Sequence, residues 1–424
     1  MRIRIRSGRI VDPASGVDRQ ADLFIADKLI AAVGRSPAGF QADREIDAAG
    51  KWVLPGLVDL CARLREPGAE HKATIASESA AAVAGGVTSL CCPPDTVPVI
   101  DTPAVVELIH RRARAARQAR VYTLGALTHA LGGERLAEMH ALKRAGCRAV
   151  SNACQPVTNS EVLRRALEYA ANCDLPVFLH AEDSFLRNAG VVHEGAVSTR
   201  LGLPPIPAAA ETVAVSRALM LVECTGARVH FCRLSAARSV ALIGEARKSG
   251  LPVSADVGIC HLRLTVEDVI GYQSNCHLIP PLRTLADQHA LREGLADGTI
   301  DAVCSDHQPH DADAKSAPFS MTEPGASTIE LLLPLLLGLV QDGTVPLMRA
   351  VAAVTQAPAK ILGIEAGTLS VGAPADVTVV DAKESYTLQT REMRSAGKNT
   401  PFAGWNLAGK VSHTVVGGRV VFGT

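Results

Sequence analysis

An α/β barrel of eight parallel strand–helix units, with a small composite β-sandwich built from both ends of the chain, is the fold class predicted for this sequence. Three observations predict it: β-prone runs within residues 1–55, strand–helix alternation from about 57 to about 357, and a return of the β rhythm after 360. Alternation at this spacing makes βαβ units and a parallel sheet, and eight such units take roughly 250 residues. The expected division is a composite β-sandwich from 1–55 and 360–424 around a barrel of 56–359.

The opening Met1-Arg-Ile-Arg-Ile-Arg-Ser alternates charged and apolar residues and reads as a strand; no apolar run follows that would make it a secretion signal. Runs 3–10, 21–25 and 29–33 are separated by the turn signals Asp12-Pro13 and Asp27-Lys28. In the barrel, strands are expected at 121–124, 177–180, 229–234, 253–257 and 302–305. Helices are expected at 103–119, 160–172, 209–224, 236–248 and 328–341, with Ser160 as a polar cap and Gly125, Gly146, Gly226 and Gly250 as punctuation. The last β segments are Gly367-Thr-Leu, 375–380 and 411–422. Neither an internal repeat nor a low-complexity linker interrupts this order.

Composition narrows the function. Of 424 residues 47% are hydrophobic, and 43 basic side chains balance 43 acidic ones, so the charge excess that nucleic acid or an anionic membrane would require is missing. The longest apolar stretch, 331–340, is too short to span a bilayer and contains Pro334. Eleven cysteines without a CxxC pair read as reduced thiols of a cytoplasmic protein, with Cys61, Cys91, Cys92 and Cys260 as candidate structural fillers. The basic run from Arg111 to Arg120 lies on an expected outer helix without interleaved aromatics, which favours a solvated face or a protein interface.

Several strings follow one another along the barrel. Val53-Leu-Pro-Gly-Leu-Val-Asp59 enters the first strand, Leu64-Arg-Glu-Pro-Gly68 leaves it, and Pro94-Asp-Thr-Val-Pro98 follows the next. His180-Ala-Glu-Asp183, Ile206-Pro-Ala-Ala-Ala-Glu211, Pro280-Pro-Leu-Arg283 and Ser305-Asp-His-Gln-Pro-His310 come in turn, before Gly372-Ala-Pro-Ala-Asp-Val and Asn399-Thr-Pro-Phe-Ala-Gly. Together, in this order and over essentially the whole chain, they resemble the dihydroorotase branch of the amidohydrolase superfamily. The resemblance implies a TIM barrel with a composite β-sandwich. It also implies a reaction that interconverts carbamoyl aspartate and dihydroorotate on two metal ions, which activate a water and polarise the amide.

The ligand pattern that the resemblance implies is largely missing. Where the family has His-x-His, this chain has Cys61-Ala62-Arg63; where it has Ser-Asp-Asp-Gly, this chain has Ser151-Asn152-Ala153-Cys154; and where it has His-x-Cys-His, this chain has His230-Phe231-Cys232-Arg233. The replaced ligand positions are therefore Cys61, Arg63, Asn152 and Arg233, while His180 and Asp306 survive. A guanidinium is permanently charged and has no lone pair for a metal. A dication about 4 Å from one such group is repelled by roughly 8 kcal/mol at an effective dielectric of about 20. Arg63, Asp306 and Arg233 are thus expected to form an ion cluster in place of the metals, with Asp306 a vestigial general base. No cofactor is expected; a residual one-metal zinc site would draw on His180, Asp306 and Cys61. His180 also reads as a hydrogen-bonded core histidine, and His307 as a loop tie.

For substrate, the resemblance implies Arg65 on the carboxylate, with Asp95 and His310 beside it. Asp95 stands where the family string has Asn, and Ile279 precedes Pro280 where another Asn is usual. Three readings follow. The first is a non-catalytic subunit that assembles with the aspartate transcarbamoylase catalytic chain, the partner the resemblance implies, with a homo-oligomer also open. The second is a hydrolase with an altered one-metal or metal-free site, and the third an anion sensor using Arg63, Arg65 and Arg233. None of the three involves nucleic acid or a membrane.

Overall fold

Small and branched residues run fully buried along the parallel strands, as a sheet covered on both faces requires. The computed structural model describes residues 1–423. Its barrel has eight strands in chain order: Leu57–Asp59, Val87–Cys92, Arg120–Ala126, Ala149–Ser151, Val177–Leu179, Val229–Phe231, Val253–Gly258 and Ala302–Cys304. Beyond the first and last strands the chain closes the ring through a parallel bridge of Ala62 with His307, where Arg63 N donates to the His307 carbonyl (2.9 Å). That seam puts position 63 beside position 306.

The helices follow the apolar spacing. Ser160–Asn172 buries Leu163, Ala166, Leu167 and Ala170, the stripe of an amphipathic helix, and its cap is Asn159, one residue before the expected Ser160. The helix expected at 103–119 is Pro103–Ala116, stopped by Arg117 in the left-handed region. That expected at 328–341 splits into a 3-10 turn, Ile329–Leu331, and Leu332–Gln341. Pro334 sits in its first turn, where a missing N–H breaks no helical hydrogen bond. The strand expected at 229–234 ends at Phe231, because Arg233 turns to φ +54°.

The two ends of the chain share one eight-stranded sheet. Trp52–Pro55 pairs in parallel with Ile3–Asp12 and antiparallel with Val377–Thr387, and the sheet continues through Asn406–Val416 to Arg419–Phe422. Ile3, Ile5, Ile10, Leu23, Ile25, Val377, Val379 and Val415 form a core of its own. Among the described residues no helix is long and apolar enough to cross a membrane, and all eleven cysteines are free thiols.

Glu78 fastens the barrel to the C-terminal segment. It is 0% exposed, on the first barrel helix, Ile75–Ala84. One carboxylate oxygen lies 2.7 Å from His307 Nε2 and accepts from Ser395 Oγ (2.7 Å); the other accepts from Ala396 N (3.0 Å). Burial alone would raise the Glu78 pKa, but His307 and these hydrogen bonds outweigh it and hold the group below its ordinary value. A carboxyl depressed by folding adds stability that is fully present above its unfolded pKa and is lost as pH falls through the folded value. Thermal melts between pH 7 and pH 3 should therefore show an acid arm that flattens in Glu78→Gln. Glu78→Ala should lose about 3–5 kcal/mol at neutral pH; a variant as stable as the parent would contradict this account.

Candidate functional site

At the carboxyl ends of the strands the backbone turns inward. Arg65, Ala153, Arg233 and Asp306 all adopt positive φ, between 48° and 63°. Such conformations are uncommon for residues with a Cβ and need support from their surroundings. Two of these residues, Arg233 and Asp306, meet at one carboxylate oxygen. Asp306 Oδ1 lies 3.5 Å from both Arg63 Nη1 and Arg233 Nη1, and it accepts from Gln308 Nε2 at 3.3 Å. Arg63 Nε also donates to Asp95 Oδ2 (2.7 Å). Two thiols fill the gaps. Cys61 Sγ accepts from Arg233 Nη1 (3.1 Å) and faces Asp306 Oδ1 (3.5 Å), and Cys154 Sγ accepts from Arg63 Nη2 (3.3 Å) and Arg233 Nη2 (3.4 Å). The Arg63, Arg233 and Asp306 side chains are only 7%, 4% and 11% exposed.

The charges in this cluster hold one another. Burial alone would drive the Arg63 guanidinium toward neutrality, but Asp95, helped by Cys154 and Cys61, keeps its pKa well above the ordinary value. Arg233 is likewise opposed by burial and held up chiefly by Asp306. Burial would raise Asp95, yet the adjacent Arg63 brings it below its usual range. Burial also lifts the Cys61 thiol far up, against the pull of Arg233, so it remains an S–H that can donate to Asp306.

Arg65 and His310 sit beside this cluster. Arg65 Nε donates to the Pro309 carbonyl (2.9 Å), and Nη2 lies 2.9 Å from His310 Nε2. Burial and the nearby Arg63 charge push Arg65 down to about 10; burial and Arg65 push His310 down to about 3, so that ring is neutral at physiological pH. The cavity against Arg63, Arg65 and Asp95 measures about 50 Å³, far below the roughly 300–1,000 Å³ of small-molecule pockets.

The remaining positions are distributed differently. The Asn152 amide turns from the cluster to Thr128, Leu131 and Gln155, and Cys154, two residues on, takes the inward place. His180 lines a separate cavity of about 20 Å³ with Asn152 and Glu182; its Nε2 is 3.7 Å from Glu182 Oε2 and neither ring nitrogen makes a hydrogen bond. Asp183 caps the short helix Ser184–Arg187, and His307 ties the last strand to Glu78 and to Thr328 N.

A pair of divalent ions does not fit these residues. Two guanidiniums stand where donors would be needed, and both contact the retained carboxylate. Among the described residues, donor atoms converge within 4.8 Å only at His230, Cys232 and Asp256; His180, Asp306 and Cys61 do not converge to that degree. A nitrogen, a sulfur and an oxygen are donors zinc accepts. In this structure His230 Nδ1 meets Ser254 Oγ (2.8 Å), His230 Nε2 meets Asp256 Oδ2 (2.9 Å), and Asp256 Oδ1 accepts from Arg233 N (2.6 Å). This group, like Cys154, was not singled out from the sequence. The string His230-Phe231-Cys232 was its one visible signal, because Asp256 joins only through pairing of the neighbouring strand.

Comparison with known proteins gives a consistent picture. Residues 50–239 match the family model described as dihydro-orotase-like, and residues 251–422 match the amidohydrolase family. A dihydroorotase-like protein of Pseudomonas aeruginosa is 49% identical over 420 residues, covering 99% of both chains. A dihydroorotase of Anaeromyxobacter dehalogenans is 47% identical, over 98% of this chain and 97% of its own. Among solved structures, the L-hydantoinase (dihydropyrimidinase) of Arthrobacter aurescens superposes with a TM-score of 0.87 at 26% identity, covering 99% of this chain and 96% of that one.

Removing the shared carboxylate should expose the cluster's dependence on it. Asp306→Ala leaves Arg233 buried with no carboxylate partner, and chemical denaturation should show a loss of about 3–5 kcal/mol. Asp95→Ala should cost less, because Arg63 keeps Asp306 and the Asp95 side chain is 28% exposed. Equal losses from the two variants would contradict the arrangement.

Proposed function

We propose the following role for this chain, which belongs to the dihydroorotase-like family of amidohydrolases. It keeps the family's barrel as a scaffold, does not open or close a cyclic amide, and serves in the cytoplasm as an assembly subunit for the catalytic chain of aspartate transcarbamoylase. One observation carries the non-catalytic half: a single oxygen of Asp306 is shared by Arg63 and Arg233. The family's reaction needs that carboxylate free to take a proton, and metals to activate water. Here it is held by cations that can neither coordinate nor give up their charge. The cavity of about 50 Å³ supports the same reading, since a cyclic amide with a carboxylate has no room beside Arg65. The choice of partner rests on the resemblance, which implies this assembly for members without the metal centre. A retained core and altered mouth agree with it, because assembly needs the surface and catalysis needs the site.

Two measurements test the halves separately. Metal analysis of the purified chain should give less than one zinc per chain at the mouth, with no turnover of carbamoyl aspartate or dihydroorotate. Stoichiometric metal with turnover abolished by Asp306→Ala would establish a working hydrolase instead. On a sizing column, the chain mixed with the transcarbamoylase should co-elute as one larger species; two separate peaks would remove the assembly role.

A further inference from the structure

We infer that a cleft on the underside of the barrel, opposite the Asp306 cluster, is a binding site for a small organic polyphosphate. The inference does not depend on the role proposed above. The cleft opens where the strand Arg120–Ala126 begins, whereas the cluster lies where the strands end. Its walls come from three parts of the fold: the end of helix Pro103–Ala116 with Arg117, the turn at Gly146 and Arg148, and the edges of the terminal sheet at Lys28, Gly417 and Arg419. Its volume is about 770 Å³, within the size range of sites for drug-sized and cofactor-sized ligands.

The lining is one-signed. Lys28, Arg114, Arg117, Arg120, Arg148 and Arg419 face it, and no carboxylate does. Arg114 is paired with Glu107 (2.6 Å) and Arg120 with the buried Asp376. Among the described residues no carboxylate pairs with the other four, Lys28, Arg117, Arg148 and Arg419. In a chain whose 43 basic and 43 acidic residues cancel, such a cavity is a local field, not a consequence of net charge. The four cations come from four separate stretches of sequence, so the fold assembles them. The Arg419 guanidinium is fixed on the Arg117 carbonyl, and the Arg148 guanidinium lies over the Tyr122 ring, 5.6 Å from its centroid. Guanidiniums held in place lose little freedom when they grip phosphate oxygens in pairs.

Shape selects among anions. A nucleic-acid strand needs a long basic track with exposed rings for its bases. Here the lining rings are His110 and Tyr122, the latter covered by Arg148, and the exposed cations are gathered around a single cleft, not strung along a track. A compact ligand with three or four negative charges satisfies the four unpaired cations; a single phosphate or a monocarboxylate leaves most of them unmatched.

The test uses the full chain with sodium tripolyphosphate and, separately, ATP, titrated calorimetrically at fixed ionic strength. Saturable one-to-one binding is expected, weakened about tenfold or more in Arg148→Glu and in Arg419→Glu. Both residues are exposed, so unchanged melting of the unliganded variants checks that they remain folded. Equal affinity for the two probes assigns the site to the polyphosphate group alone, whereas tighter ATP binding adds a subsite for the ring; either result supports the site. Non-saturable binding, binding that the variants leave unchanged, or tighter binding of a short oligonucleotide than of tripolyphosphate would overturn it.

Discussion

Asp306 offers one oxygen to two guanidiniums, and the mouth of the barrel is organised around that atom. The closing seam between the first and last strands brings Arg63 to it, and the left-handed turn after Val229–Phe231 brings Arg233. Taking these charges out of water costs several kcal/mol per ion, which pairing must offset. Each remaining contact serves that need: Asp95 takes the second face of Arg63, while two thiols and Gln308 fill the positions left over. A buried cluster of this kind gains little over a well-packed apolar mouth. Its physical meaning is charge balance, two fixed guanidiniums set against the carboxylates of Asp306 and Asp95.

The strings that carry the family resemblance divide by the work they do. Those retained are mostly braces. Glu211 accepts from Ser235 N, Ser235 Oγ and Ala236 N, and Arg283 donates to the same hydroxyl and to the Ile206 carbonyl. Asn399 clamps the 308–325 loop, accepting from His310 N and donating to the Gln308 and Gly325 carbonyls. Buried polar groups so fully satisfied specify one geometry, and losing any of them would leave partners unpaired. The altered positions, by contrast, are those at which the family resemblance implies metal ligands. Fold and chemistry are therefore separable in this sequence, because different atoms carry them.

The barrel was legible because strand and helix periodicities alternate on a fixed spacing, and the shared terminal sheet because β-prone runs frame that alternation. The mouth was legible only where residue type decides the matter: an arginine cannot ligate a metal in any geometry. Where the outcome depends on backbone direction, the sequence was silent. Asn152 was expected to stand at a ligand position, but Ala153 at φ +49° turns the chain so that Cys154 points inward. Asp95 was read as a substrate contact, and here it is the closest carboxylate to Arg63. The basic run at 111–120 supplies only part of the underside cleft; Lys28, Arg148 and Arg419 reach it through tertiary pairing that no local pattern encodes.

The way the mouth is built also couples its residues to one another. Arg63 and Arg233 share three acceptors, Asp306, Cys61 and Cys154, so neither can be replaced without changing the surroundings of the other. Residues that share partners in this way couple by roughly 0.5–3 kcal/mol, and their substitutions do not add. A histidine at 63 alone would still face Arg233, whose charge repels an incoming dication at the same carboxylate. A histidine at 233 alone would leave Arg63 locked between Asp95 and Asp306. Both cations must leave before a metal finds more attraction than repulsion there. The cluster is thus a cooperative unit, held by shared contacts and not by the strength of any one ion pair.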